Sequence, residues 1–526
     1  KIADARAKIL EDLKTHGVLL DQKEITHAVN VHERCGTELE FLKTKQWFIK
    51  VLENKDELLK KVDDINWHPS YMKNRMTHWI ENLNWDWCIS RQRFFGIPFP
   101  VWRHTKTGEV VLPADDELPI DPVNDVPKGY TKEELIPETD VMDTWATSSI
   151  SPQIALQSYG LSPDRHMPMS LRPQAHDIIR TWAFYTLTRS VYERDIIPWE
   201  NILVSGFVMA AKGEKMSKSK GNVVDPRKVI QKYSADIMRF WAAGSKLGED
   251  LAYSELDLEA GKRFVTKLWN SFKFLHLFMK DEPDFDSQKK PELTLVDRWM
   301  FTRMDDLIKK NTLDFDHYEY DKVKYRTEQF FWQMFCDNYL EIVKDRLYKP
   351  DVYGKEAKQS GLYTFYHCLK SIVITMSPLT PFVAESIWQY FYKEFEAIPS
   401  ISYANWPELM NASLTDDERL AGQLAVDITS VIRRYKSNSN KSLNTEVRLK
   451  VCCDDKIRKQ IELVLPDIKG TAKVQSIDFV EKKDLRGDIQ MGEEESVEKA
   501  VEANEKDYAK DMEFFAIDVE FIEKAQ

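Results

Sequence analysis

The sequence predicts a doubly wound α/β domain, then an all-α helical bundle, then a small α/β domain at the C-terminal end. Three observations predict it. First, Pro168-Met169-Ser170-Leu171 and Ile202-Leu203-Val204-Ser205-Gly206-Phe207-Val208-Met209 are runs that read as strands, each leading into a helix start. Second, apolar residues recur at helical spacing from 294 to about 450. Third, residues 451–526 return to short strands, near 474–480 and 514–521, among charged helices.

The bulk properties bound the rest. At 526 residues the chain has room for three or four domains. Its formal net charge of −12 argues against nonspecific polyanion binding, while leaving space for a local basic face that meets structured RNA. No run is long and apolar enough to span a membrane, and no membrane partner is expected. The six cysteines are scattered, only Cys452 and Cys453 being adjacent, which fits a reducing, cytoplasmic setting and not a disulfide scaffold. The opening, Lys1-Ile2-Ala3-Asp4-Ala5-Arg6-Ala7, is a charged helical pattern with no signal peptide, and it reads as the middle of something longer.

Taken in order, residues 2–17 read as a helix and 25–29 as a short strand. A charged helix is expected over 51–62 and an amphipathic one over 71–82. In Ile89-Ser90-Arg91-Gln92-Arg93, Arg91 and Arg93 alternate with Gln92, so an extended chain would show both on one face. Residues 103–140 are acidic and Pro-rich, and are expected as a surface excursion. Arg172-Pro173-Gln174 is expected to break the strand at Leu171, and residues 175–185 to open a helix. Gln174, His176 and Asp177 fall at that strand-to-helix junction, where doubly wound sheets bind ligands; helix capping and a satisfied histidine is the structural alternative.

The stretch Lys215-Met216-Ser217-Lys218-Ser219-Lys220-Gly221-Asn222 follows the second strand. Asp225-Pro226 then gives an N-cap and a proline in the first helical turn. Lysines at a strand end can neutralise charge on a phosphate chain, and small neighbours let the loop approach it. A solvated surface loop is the plain alternative, and no GxxxxGK[ST] pattern is present. Further on, the stripe Phe331, Trp332 and Phe335 reads as core. Arg433, Arg434 and Lys436 beside Tyr435, with Lys441, read as an RNA-facing segment.

Lys215-Met216-Ser217-Lys218-Ser219 resembles the second signature of class I aminoacyl-tRNA synthetases. With Gly206-Phe207-Val208 and Gly213-Glu214 ahead of it and Lys220-Gly221-Asn222 behind, it resembles the valine, isoleucine and leucine subgroup. Ile89-Ser90-Arg91-Gln92-Arg93 with Gly96-Ile97-Pro98-Phe99-Pro100, and Asp140-Val141-Met142-Asp143-Thr144-Trp145, resemble further segments of that subgroup. Met169-Ser170-Leu171-Arg172-Pro173-Gln174-Ala175-His176-Asp177-Ile178-Ile179-Arg180-Thr181-Trp182 is similar to the archaeal-type branch of the valine-specific synthetases.

The resemblance implies a Rossmann-like fold, present as its second half, and five segments. These are the end of an editing insertion with the return to the core (1–62), the second half of the catalytic domain (63–256), a connecting helix and linker (257–292), an anticodon-binding bundle (293–450) and a C-terminal domain (451–526). It implies ATP-dependent activation of valine and its transfer to tRNA(Val), with Mg2+ arriving on ATP. Lys215 and Lys218 would be catalytic and would bind the phosphates with Ser217 and Ser219. Phe207 and Val208 would offer backbone atoms to adenine, and Gln174 and His176 would lie near the ribose. Asp143, Trp145 and Asp177 would line the amino-acid pocket. Arg91 and Arg93 would form a rim near the tRNA acceptor end.

Two departures stand out. Where the family carries a Cys-x-x-Cys knuckle this chain has His32 and Cys35, and after Trp102 it has His104 and no cysteine, so no zinc is expected. No His-x-Gly-His signature occurs, so a missing N-terminal half is expected as a partner, in cis or in trans, and the chain alone is expected to be inactive. Isoleucyl or leucyl specificity, and a noncatalytic tRNA-binding protein derived from a synthetase, stay open as alternatives.

Overall fold

The computed structural model describes residues 2–32, 36–39, 43–210, 213–217, 221–280, 282, 285–485, 490–491 and 515–522. The chain divides into two compact units, one of Lys1–Glu53 with Asn84–Thr147, the other of Asn54–Leu83 with Ser148–Gln526.

The first unit is built of short antiparallel pairs. Phe48–Ile49 pairs with Trp87–Cys88, and Ser90–Arg91 with Val141–Met142. The stretch expected as a surface excursion has a core of its own. Trp102–His104 lies between Val110–Val111 and Leu135–Pro137, and Trp102, Val111 and Leu135 are buried with Ile120 and Val126 against them. The Trp102 indole N–H donates to the Pro122 carbonyl at 3.1 Å, so even this large side chain is satisfied inside the excursion.

The second unit carries a parallel sheet with Trp199–Ser205 at its centre, Asn66–His68 on one side and Met169–Ala175 on the other. The outer strand runs four residues past Leu171, contrary to the expected break at Arg172-Pro173-Gln174. Pro173 is tolerated there because an edge strand need not use every N–H. Ile202 and Val204 of the central strand are fully buried. The helices Lys55–Asp63, Lys73–Glu81 and Phe184–Arg194 contribute Leu58, Val62, Ile80 and Leu187 to the interior.

The long helix Glu255–Met279 leads into a bundle that includes Leu295–Asp316, Lys355–Met376 and Asp416–Asn438. Phe331 and Phe335 are fully buried, as expected of core. The helical region ends earlier than the expected 450. Val447–Cys452 is the inner strand of a four-stranded sheet, parallel to Val474–Phe479 and antiparallel to Ala516–Phe521, with Gln490–Met491 beyond. Its Val447, Leu449 and Val451 alternate inward and share one apolar core with the bundle. No described helix is long and apolar enough to cross a membrane.

Candidate functional site

The candidate site is the C-terminal end of the central strand. Trp199–Ser205 delivers the chain to Gly206, where an added Cβ would sit 2.1 Å from the Glu249 carbonyl oxygen, so only glycine lets the two backbones meet. That close approach sets Asp250 beside Phe207. One Asp250 oxygen accepts from the Phe207 N–H at 2.7 Å and lies 3.2 Å from His176 Nε2. The Phe207 N–H, then the His176 contact, hold the Asp250 carboxyl below its ordinary value. The His176 ring meets the Phe207 ring edge-on at 4.6 Å, and Lys215 Nζ lies 4.5 Å from the centre of the Phe207 ring. Three residues singled out in the sequence, His176, Phe207 and Lys215, therefore converge. Asp250 holds two of them together.

The lysine stretch begins as a hairpin. Lys215 bridges antiparallel to Met209, and Ala210 donates to the Glu214 carbonyl at 2.7 Å. The Asn222 side chain closes it, accepting from the Ser217 N–H at 2.8 Å and donating to the Lys215 carbonyl at 3.3 Å. Lys218 and Ser219 lie outside the described residues. The Asp225 cap is formed as expected, its side chain accepting from the Arg227 N–H.

Phe207 and Val208 differ in what their backbones can offer. Phe207 donates to Asp250 and its carbonyl accepts from Leu251 at 2.8 Å. Val208 pairs in parallel with Leu251 through the groups of its two neighbours, so its own N–H and C=O take no part in that ladder. Gln174 is buried, with its amide nitrogen 3.4 Å from the Ala175 carbonyl and its Oε1 unpartnered among the described residues. Asp177 is exposed in the first turn after the strand.

In the other unit, Asp143 is buried and lies 3.5 Å from Arg91 Nη2, and Trp145 is half-buried on the helix Thr144–Ser148. Arg91 and Arg93 do not form the expected shared face. The strand ends at Arg91, whose Nη1 turns back onto the Ser90 carbonyl at 2.6 Å and the Cys88 carbonyl at 3.2 Å, while Arg93 is exposed beyond it.

The basic segment of the bundle also needs correcting. Lys436 does not face solvent; it is fully buried and donates to the Ala472 carbonyl at 2.6 Å and the Leu443 carbonyl at 3.1 Å. Burial pushes its ammonium down to about 8. Arg433 pairs with Glu341 at 3.1 Å. Arg434 and Lys441 are exposed, the latter with Nζ 5.7 Å from the Phe521 ring centre. Of the zinc-like residues, His104 Nδ1 accepts from the N–H groups of Lys106 and Thr107 at 3.3 Å, and Cys35 lies outside the described residues.

Asp250 and Asn222 were missed from sequence. Asn222 stood inside the quoted string, but nothing in a linear pattern shows a side chain folding back to its own loop. Asp250 lies too far along the chain for any local signal.

Residues 9–254 match the model of tRNA synthetases class I (I, L, M and V), and residues 297–451 match that of the anticodon-binding domain of tRNA ligase. Among curated relatives, the valine–tRNA ligase of Rickettsia conorii (strain ATCC VR-613 / Malish 7) is 40% identical over 504 residues, covering 92% of this chain and 61% of that protein. The valine–tRNA ligase of Rickettsia prowazekii (strain Madrid E) is 42% identical over 501 residues, 92% and 60% respectively. The chain thus spans about three fifths of the length of these relatives. In fold it is similar to Mycobacterium tuberculosis methionyl-tRNA synthetase in complex with methionyl-adenylate, with a TM-score of 0.54 at 18% identity over 74% of this chain and 72% of that one. The chain thus carries a class I tRNA synthetase domain of the I, L, M and V group, followed by an anticodon-binding domain of the tRNA ligases.

Proposed function

We propose that this chain is the greater part of a valine–tRNA ligase, which joins valine to tRNA(Val) at the expense of ATP. The observation that carries the reading is the junction of His176, Phe207, Asp250 and Lys215 at the end of the central strand. Forty per cent identity to valine–tRNA ligases over most of the chain supports the choice of amino acid.

In this reading the valine carboxylate attacks the α-phosphate of ATP, pyrophosphate leaves, and the adenylate then acylates the terminal ribose of tRNA. The protein's part is positioning and charge stabilisation. Lys215 and Lys218 meet the phosphates with Ser217 and Ser219, and magnesium arrives on the triphosphate. The peptide groups of Val208, which take no part in the ladder with Leu251, suit adenine better than those of Phe207, which are already bonded. His176, held by Asp250, and Gln174 lie toward the ribose. Asp177 is taken for the valine pocket, and Arg93, Arg434 and Lys441 for tRNA contacts. A hydrophobic pocket rejects isoleucine by size but threonine only poorly, which is why such a site needs editing elsewhere. The remaining part of the catalytic domain is taken to come from residues outside this chain.

The test is ATP–pyrophosphate exchange on a longer chain that restores the upstream portion, with valine, isoleucine and leucine compared. Exchange is expected with valine and not from the present chain alone. Lys218→Ala should lower kcat by roughly two to three orders of magnitude, the effect of one preorganised donor. A raised KM for ATP at unchanged kcat would show that the lysine serves ground-state binding only.

A further inference from the structure

Arg172 lies on the outer strand of the parallel sheet, with its side chain only 7% exposed. Its guanidinium carbon is 3.1 Å from the centre of the Trp182 ring and 5.0 Å from that of Trp199. Aromatic rings of this kind cover the faces of a guanidinium and attract its charge. They cannot satisfy its N–H groups, which point outward in its plane. Nε and Nη2 are buried and have no hydrogen-bond partner among the described residues. The in-register neighbour on the central strand is Ile202, which is apolar and fully buried and offers no side-chain acceptor. Burial without an acceptor pushes the guanidinium down to about 10.

An unpaired buried cation is costly, and a side chain this long could leave its site if nothing were meant to meet it there. The missing acceptor has one natural direction of approach. Met169–Ala175 pairs with the central strand on one side and, among the described residues, with no strand on the other. A seven-residue strand with a bare edge is itself a docking surface. Pro173 brings no N–H to a ladder, so backbone pairing alone would fix the register of an added strand weakly, and a side-chain pair would fix it better. A carboxylate is the complement of a guanidinium fork. Gln174, two residues on and on the same face, also keeps an unpartnered buried oxygen that an incoming donor would satisfy.

We propose that Arg172 is a socket for an acidic side chain carried by a strand that adds to the open edge of Met169–Ala175, and that this strand belongs to the part of the synthetase outside this chain. The inference rests on the reading above that the catalytic domain continues beyond these residues. The Arg172 fork sets the register of the joined sheet, and thereby the placing of His176 at its end.

The experiment compares thermal unfolding of Arg172→Met in two backgrounds, this chain and the longer chain with the upstream portion restored. In this chain the substitution removes a charge that has no acceptor; in the longer chain it strands a buried carboxylate. The Tm shift in the longer chain is therefore expected to be more negative than in this chain by at least about 5 °C. Arg172→Lys keeps the charge without the fork, and its difference should be smaller and of the same sign. If Arg172→Met does not fold in one background, the lysine variant is read by the same comparison. Equal shifts in the two backgrounds would overturn the proposal, because they would mean that Arg172 gains no partner. Valine-dependent exchange by the unsubstituted longer chain is measured alongside. Exchange with equal shifts sinks the socket alone, and unequal shifts without exchange sink the synthetase reading while leaving the socket standing.

Discussion

Asp297 in the bundle and Asp250 at the sheet end are both carboxylates that tie distant segments together, yet their surroundings differ. Asp297 is fully buried and takes both arms of the Arg346 fork at 2.8 Å, with the Tyr339 hydroxyl at 2.7 Å and Ser360 beside it. Burial would raise its pKa, but the Arg346 charge and these hydrogen bonds pull it below the ordinary carboxylate value. Asp250 has a side chain 42% exposed and, among the described residues, holds only Phe207 and His176. The difference teaches how the chain divides its labour. Where the fold must not move, charge is enclosed and saturated with donors. At the sheet end, the proposed site for a charged substrate, the carboxylate is left accessible and held by few contacts.

The largest effect expected from this contrast is in the bundle. Asp297→Asn keeps the shape and removes the charge, leaving the buried Arg346 with Asp467 alone, 3.4 Å from its Nε, as a carboxylate partner. Breaking such a pair costs about 3–5 kcal/mol. Urea unfolding followed by far-UV circular dichroism should show a loss of that size. Replacing both, Asp297→Leu with Arg346→Met, should recover part of it, because the stranded cation is gone while Asp467, which also meets Arg346, loses its partner. A cost below about 1 kcal/mol for Asp297→Asn, the value of an exposed pair, would erase the distinction between the two regions.

Lys436 is the intermediate case, a buried cation held by two carbonyls and, among the described residues, by no carboxylate. Its pKa is lowered to about 8 by burial, with Lys473 and Arg433 adding repulsion. The unfolded chain therefore binds more protons than the folded one between about pH 8 and the ordinary lysine value, and stability should rise with pH across that window. The gain should approach 2–3 kcal/mol as an order of magnitude. It is measured as the change in unfolding free energy between pH 7.5 and 10, less the same change in Lys436→Met. A difference that is flat, or that falls with pH, would show that the ammonium is not penalised by its site.

Much of this was written in the sequence, though unevenly. The strand at 199–205, the lysine stretch and the Asp225 cap are local patterns, and all three can be read from neighbours in the chain. Lys436 was misread because basic residues beside a tyrosine resemble an RNA contact. Yet it continues the line of Ile428 and Ile432 at four-residue spacing, and that line is the buried face of the Asp416–Asn438 helix. Val447–Cys452 alternates inward and outward as a strand should, but follows a long helical region and was absorbed into it. Asp250 carries no local mark. It reaches Phe207 only because Gly206 lets two backbones touch, and a contact between residues 43 positions apart has no periodicity to betray it.

Asp250 also provides the smallest test, and the one closest to the site. If its carboxylate is what fixes Phe207 and His176, then Asp250→Ala should expose the Phe207 amide without disturbing the bundle. Losing one hydrogen bond of this kind is worth on the order of 1 kcal/mol, about a five-fold acceleration of exchange at that amide. Amide hydrogen exchange resolved at Phe207 reads this in the present chain, with no substrate needed. Asp250→Asn keeps an oxygen for the Phe207 N–H and should restore most of the protection, while its neutral amide holds His176 less firmly. The pH dependence has a definite sign. A carboxyl held below its ordinary value keeps its contacts above the ordinary aspartate range and loses them only as pH falls through the depressed value. Protection at Phe207 should therefore persist to more acid pH than titration of an ordinary aspartate would allow. If it disappears with an ordinary aspartate midpoint, or if Asp250→Ala leaves it unchanged, the sheet end is held by the Gly206 approach alone and Asp250 is a bystander to it.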